Sequence, residues 1–178
     1  MILIMGIAGS GKGTQSKLLA EKDGFHLITM GDVLRESASD EQRAKMHAGI
    51  LLDDQEIIQI IDKFLAALPQ DEEVLLDGFP RTMPQAEWLI KEVESGRFKL
   101  NTAIHLVASR QAVKERLIDR ARTDDVEHAI EQRFDEYEKS TAPILEWLKQ
   151  HNIEVFDVNA ERPIEVVHQE IVNHLKQS

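Results

Sequence analysis

Residues 2–5, ILIM, are four apolar residues in succession, the pattern of a strand buried on both faces of a parallel sheet. From Lys12 to about Lys22, Leu18 and Leu19 stand among polar partners and predict a helix. HLIT (26–29) reads as a short strand, and DVLRES after it opens another helix. In DDQEIIQIIDKFLAAL (53–68) the apolar positions 57, 58, 61, 64, 65 and 68 follow a helical period, with acids in the first turn and Pro69 as the stop. EVLLD (73–77) is a second buried strand; Pro84 suits the first turn of a helix running to about Glu94. TAIHLV (102–107) is a third strand. Helix then runs almost unbroken from about Gln111 to Gln150, with a break near 121–124 and a kink at Pro143. IEVFDV (153–158) is the last strand and 163–176 the last helix. Strands alternating with helices predict an α/β fold: a three-layer, doubly wound arrangement around one parallel sheet of about five strands. No linker divides the chain, so residues 1–178 are expected to form one domain.

Composition narrows this little. With 178 residues, 42% of them apolar and 30% charged, the chain is ordinary for a globular protein. No apolar run approaches the roughly 20 residues that span a bilayer, and MILIMG is too short for a signal-peptide core. A cytoplasmic location is the expectation. The absence of cysteine rules out disulfides and thiolate metal sites. A net charge of −11 argues against general binding to nucleic acid or to an anionic membrane. It also makes any local gathering of arginines informative.

Two motifs carry chemistry. GIAGSGKGT (6–14) follows the first strand directly and opens a helix. Gly6, Gly9, Gly11 and Gly13 let backbone N–H groups converge on phosphate oxygens, Ser10 and Thr14 lie within the cradle, and Lys12 adds a point charge. The plain alternative is a tight strand-to-helix turn that needs glycines. Gly13 stands where a hydroxyl usually follows the lysine, so metal is not held by a hydroxyl there; water is the simplest route. The second motif is LLDGFPRTMPQA (75–86). Asp77 ends a buried strand, where a Walker B carboxylate organises Mg²⁺. Gly78, Phe79 and Pro80 turn the chain and Arg81 follows at once. Read alone, this is a strand end with a surface arginine.

Taken together, GSGKGTQ (9–15), GDVLR (31–35), DGFPRTMPQA (77–86), RTDD (122–125), EQRFDEY (131–137) and TAP (141–143) resemble the adenylate kinases, within the nucleoside monophosphate kinases, nearly end to end. The resemblance implies transfer of the γ-phosphoryl of Mg-ATP to AMP, with Mg²⁺ as cofactor, held through water near Asp77, and no structural zinc. Gly9 to Thr14, Arg116 and Arg120 would bind ATP, Arg116 lying along the donor adenine. Arg35 and Arg81 would grip the monophosphate, Gln85 would meet the adenine of AMP, and Met30, Leu52 and Gly78 would complete the acceptor site. Arg120, Arg122 and Arg133 would gather on the phosphates, and with Lys12 and Arg81 form the catalytic set. Asp124 and Asp125 would fix those arginines, or equally form a capping pair at a helix start. Six of the ten arginines fall on these positions. Phosphoryl transfer explains the number, since guanidinium forks clamp a transition state whose charge is spread over oxygens.

The chain departs from the family pattern in three places. Ala8 replaces the proline before Gly9. Met30 stands where threonine usually precedes Gly-Asp, which keeps a UMP/CMP-type kinase as an alternative; Gln85 within TMPQA favours AMP. The lid is nearly absent, since only Ala121 separates Arg120 from Arg122, and the acceptor segment is shortened. The implied organisation is a core of 1–29 and 66–178, an acceptor arm of about 30–65, and a lid reduced to a loop at about 119–125. The chain would be a monomer or a small homo-oligomer, a neighbouring subunit covering the lidless site. A phosphate-loop ATPase or GTPase switch, a small-metabolite kinase and a non-catalytic nucleotide-binding module are the remaining readings. No N-K-x-D sequence for reading guanine occurs. Trp88 and Trp147 read as packing groups, and the seven histidines as core or surface residues.

Overall fold

The computed structural model describes residues 1–47, 52–67, 73–120 and 127–177. Five strands, β1 (Ile2–Met5), β2 (His26–Thr29), β3 (Val74–Asp77), β4 (Thr102–Val107) and β5 (Glu154–Asn159), form one sheet in the order β2-β3-β1-β4-β5. All four pairings are parallel. The register fixes what meets at the carboxyl ends: Thr29 lies opposite Asp77, Asp77 opposite Ile4, and Met5 opposite His105.

Nine α-helices are found among the described residues: α1 (Lys12–Asp23), α2 (Met30–Ser37), α3 (Asp40–His47), α4 (Asp54–Ala66), α5 (Met83–Glu94), α6 (Arg110–Arg120), α7 (Glu127–Glu136), α8 (Ala142–Gln150) and α9 (Ile164–Leu175). The period-2 alternation of the strands decides the layers. Leu3, Met5, Val74, Leu76 and Ala103 face one core with side chains of α2, α4, α5 and α8. Ile2, Ile4, Leu75, Ile104 and Val158 face the other, against Leu19 of α1 and Val167, Ile171 and Val172 of α9. A third, smaller cluster joins Ile7 of the glycine loop to Val113, Leu117, Ile130 and Phe134 of α6 and α7. The three-layer, doubly wound α/β fold expected from the pattern is therefore present.

Local chemistry starts the helices where they start. Thr29 Oγ1 accepts from the Asp32 N–H to cap α2. Asp53 and Glu56 form a reciprocal capping box at α4, and Pro84 sits in the first turn of α5. Two corrections to the sequence pattern emerge. Residues 40–47 form α3, which apolar periodicity did not announce. The long helix expected over 111–150 is α6, α7 and α8, and a π turn at Tyr137–Thr141 joins the last two. There the Ala142 N–H reaches back five residues to the Tyr137 carbonyl, and Pro143 follows in the first turn of α8. The expected break near 121–124 and the stop at Pro69 lie outside the described residues. Ile60, outside the apolar positions picked from the sequence, is buried beside Ile61. Among the described residues no helix is long and apolar enough to cross a membrane.

Candidate active site

The glycine loop leaves the central strand β1 and closes onto α1 through Ser10 N–H to the Ile7 carbonyl at 3.1 Å and Gln15 N–H to the Gly11 carbonyl at 3.0 Å. Gly9 has φ +89°, and a Cβ there would lie 2.9 Å from Leu117 Cγ and 3.0 Å from Val113 Cγ1. The loop thus packs directly on α6, and only glycine fits. By contrast, a Cβ on Gly11 or Gly13 would meet nothing within 4 Å. α1 starts at Lys12 directly after the loop, and the N–H groups of a helix N-terminus are suited to an anion. Lys12 Nζ lies across the loop and donates to the carbonyls of Gly6 at 2.6 Å and Ile7 at 2.9 Å.

Asp77 ends β3, the neighbour of β1. Burial pushes its carboxyl above the usual carboxylate range; the charges of Lys12 and Arg81 and a hydrogen bond with Ser16 oppose this without overcoming it. Ser16 Oγ also lies 2.8 Å from the Lys12 carbonyl, so its single hydroxyl hydrogen is shared between that oxygen and Asp77. A single carboxylate beside an anion cradle is a donor set suited to Mg²⁺, which takes one or two carboxylates, several waters and substrate phosphate oxygens. The residues present fit that ion. No group of three or more His, Cys, Asp or Glu with metal-holding geometry stands among the described residues.

After Asp77 the chain turns through Gly78 at φ +88°, followed by the cis bond between Phe79 and Pro80. Phe79 is buried edge-on to Trp88, ring centroids 6.0 Å apart, which anchors the turn in the first core. The Arg81 guanidinium folds back, donating from Nε to the Gly78 carbonyl at 2.8 Å. A Cβ on Gly78 would lie 3.0 Å from that guanidinium and 3.4 Å from Met30 Cβ, and its φ is what requires glycine at the turn. Thr141 Oγ1, at the end of the π turn, donates to the Arg81 carbonyl at 3.1 Å.

On the β2 side, Arg35 is exposed and pairs with Asp32, whose carboxyl also accepts the Thr29 hydroxyl. These two contacts, Thr29 foremost, hold the Asp32 carboxyl below its ordinary range. Met30 is 4% exposed and packs in the first core, and Leu52 is half-buried against the same core. Gln85 is buried at 6% exposure at the start of α5. On the far side of the loop, Arg116 donates to the Ala160 carbonyl at 2.8 Å and reaches the Ser10 carbonyl at 3.4 Å, tying the loop to the turn between β5 and α9. Glu161 of that turn accepts from the Ser109 N–H at 2.8 Å, which holds its carboxyl low.

Of the residues singled out in the sequence, Lys12, Asp77, Gly78 and Arg81 come together where β1 and β3 end. Met30, Arg35, Leu52 and Gln85 lie on the β2 and α4 side, and Arg116 on the β4 and β5 side. Arg120 is the last residue of α6 and Arg133 stands in the last turn of α7. Arg122, Asp124 and Asp125 lie outside the described residues, as does most of the reduced lid. Sequence reasoning missed the roles of Ser16, Asp54, Thr82 and Thr141, whose partners Asp77, Gln85, Asp54 and Arg81 are remote in the chain. It also missed a chain from Asp157 Oδ1 to His105 Nδ1 at 2.6 Å and from His105 Nε2 to Tyr137 Oη at 2.8 Å. Burial, with a smaller push from Asp157, takes the Tyr137 hydroxyl up to about 12. A surface recess of about 630 Å³ between β5 and α9, with Phe156, Val166 and His174 on its walls, contains none of the converging polar groups.

Five parallel strands in the order 2-3-1-4-5, with a glycine loop on the central strand, define the phosphate-loop fold of the nucleoside monophosphate kinases. A family model described as adenylate kinase matches residues 4–153. The adenylate kinase of Porphyromonas gingivalis is 33% identical over 162 residues, covering 85% of this chain and 84% of that protein. That of Phocaeicola vulgatus is 36% identical over 158 residues, covering 83% and 84%. One from a Synechococcus strain, WH7803, is 33% identical over 172 residues, covering 93% of each. The chain belongs to the adenylate kinase family.

Proposed function

We propose that this protein transfers the γ-phosphoryl of Mg-ATP to AMP, reversibly, giving two ADP. The observation that supports the reading is the register of β1 and β3, which brings the glycine loop and Lys12 beside Asp77 and the turn that carries Arg81. A kinase between two nucleotides needs two phosphate-binding sites opening onto one point.

In this reading a phosphate oxygen of AMP attacks the γ-phosphorus of ATP. The bond from that phosphorus to the β–γ bridging oxygen breaks, and ADP leaves on each side. The loop N–H groups and Lys12 hold the donor phosphates, with Lys12 released from the carbonyls of Gly6 and Ile7. Arg35 and Arg81 orient the acceptor phosphate, and Arg120, Arg122 and Arg133 stabilise charge on the transferred group. Bound Mg²⁺ would neutralise charge on the β- and γ-oxygens, with Asp77 as its protein anchor through water. No proton needs to be abstracted from the acceptor phosphate, so no general base is required. Arg116 is already held against the loop and the β5–α9 turn, which suits a role along the donor nucleoside.

A pyrimidine acceptor is the second reading. Met30, where a base-contacting threonine would stand, is packed in the core and offers the base no hydrogen bond. Base choice then rests on Gln85, whose amide carries both a donor and an acceptor and suits a purine edge. Incubation with Mg-ATP and each of AMP, CMP, UMP and dGMP separates the readings. AMP should give diphosphate at least about tenfold faster than the others, a margin of one or two well-placed hydrogen bonds. A preference for CMP or UMP overturns the AMP assignment, and ATP hydrolysis indifferent to every acceptor overturns transfer itself. Arg81→Ala should lower turnover with AMP by about 10²–10³-fold, as removal of one clamping donor does elsewhere.

A further inference from the structure

The buried amide of Gln85 is held at both ends. Its Oε1 accepts from the Arg81 backbone N–H at 2.8 Å, and its Nε2 donates to Asp54 Oδ1 at 2.8 Å. The same Asp54 oxygen accepts the Thr82 hydroxyl at 2.7 Å. Only one of the two amide orientations is compatible with these partners: flipped, the NH₂ would face an N–H and the carbonyl would face a carboxylate. Asp54 is the first residue of α4, yet it does not cap that helix, because Asp53 and Glu56 form the capping box. Its carboxylate points instead across to the start of α5.

With one hydrogen bond made at each end, the amide keeps one N–H and one lone pair for a ligand. A 6-aminopurine edge presents a donor at the exocyclic amine beside a ring-nitrogen acceptor. A 6-oxopurine edge presents an acceptor at O6 beside a ring N–H, the reverse order. A glutamine free to flip satisfies either edge. One pinned in a single orientation satisfies one and leaves the other with facing donors and facing acceptors, which discriminates strongly. We propose that Asp54 is a specificity-determining positioning residue: by pinning the Gln85 amide from α4, it makes the acceptor site favour a 6-aminopurine monophosphate over a 6-oxopurine one. This rests on the reading of Gln85 as the acceptor-base contact.

The test compares AMP with IMP, which differ only in the group at purine position 6 and the proton on the neighbouring nitrogen. In the parent, kcat/KM should favour AMP. Asp54→Ala should raise KM for AMP and lower the AMP-to-IMP ratio of kcat/KM by about five- to tenfold, the worth of one hydrogen bond. The kcat at saturating AMP and the KM for ATP should stay within about twofold, a split that general loosening of the fold would not produce. Asp54→Asn keeps an oxygen able to accept from both Thr82 and Gln85 and should retain the parent ratio within about twofold. If Asp54→Ala shows no cooperative thermal melt, Asp54→Ser carries the same expectation. Serine is well tolerated in a first helical turn, and its hydroxyl is one bond too short to hold the contact. An unchanged ratio in Asp54→Ala or Asp54→Ser overturns the proposal, as does loss of the ratio in Asp54→Asn as complete as in Asp54→Ala. A parent that makes no ADP from AMP overturns the function proposed above. A parent active on AMP whose selectivity ignores Asp54 overturns only this inference.

Discussion

Asp77 concentrates the tension between stability and activity in one side chain. Its carboxyl is held above the ordinary value of 3.8, chiefly by burial. Between the unfolded and folded values the native chain binds more protons than the unfolded one, so this group's contribution falls as pH rises through that window, which opens near pH 4. Burying the ionised carboxylate is a net cost that Lys12 and Arg81 only partly offset. Asp77→Asn removes that titration. Relative to the parent, its thermal midpoint should shift upward as pH rises from about 4 to 7, while turnover with Mg-ATP and AMP falls by about 100-fold or more. Melting curves at several pH values, with initial rates, decide this, and a pH-independent difference in midpoint would refute the electrostatic account. The adjoining turn shows the complementary case. Gly78 is legible in the sequence as a glycine after a strand, but the closeness of Arg81 and Met30 to it is visible only once those side chains are placed.

Among the elements, the π turn does what neither neighbouring helix could do alone. It ends at Thr141, whose hydroxyl supports the Arg81 carbonyl, and it begins at Tyr137, whose hydroxyl meets His105 on β4. Arg133, one helical turn before Tyr137, lies on the segment that this double attachment orients. Thr141→Val keeps the shape and removes the donor. Turnover should fall several-fold and stability by about 1 kcal/mol, the worth of one hydrogen bond. Turnover equal to the parent's would show that the Arg81 backbone needs no such support. Signals for elements were unevenly legible. The capping box of α4 stands in the sequence as Asp53 and Glu56. The same signature at Ser39 and Gln42 marks α3: the Ser39 N–H donates to the Gln42 side chain at 2.9 Å and the Gln42 N–H to Ser39 Oγ at 3.2 Å. Apolar spacing alone passed over α3, because DEQRAKMH has too few apolar positions to set a period.

For the whole molecule, charge is the property with the clearest consequence. A net −11 over 178 residues opposes compaction through self-repulsion. Among the described residues the ion pairs are mostly exposed, such as Arg110 with Glu131 at 3.2 Å and with Glu138 at 2.8 Å. Exposed pairs contribute little each. Screening should therefore relieve more repulsion than it removes attraction. Raising sodium chloride from about 0.05 M to about 0.5 M at pH 7 should raise the thermal midpoint, and a fall would show that specific pairs outweigh the net charge. The sheet itself lies between two apolar layers and gains nothing from these charges.

By itself the sequence determined the strands of the sheet, the glycine loop, the Asp77–Arg81 turn and the family, because these depend on short-range rules: apolar runs of strand length, and glycine where a tight strand-to-helix turn needs it. Only the tertiary structure decided which strand neighbours which, and hence that Asp77 stands beside Lys12. It also decided that Met30 is core and that the helix over 136–142 winds into a π turn. Gln85 and Asp54 are 31 residues apart, on two helices that the fold brings together. The physical reason is common to all of these: hydrogen bonds and burial between remote segments depend on strand order and register, which no local pattern of residues encodes.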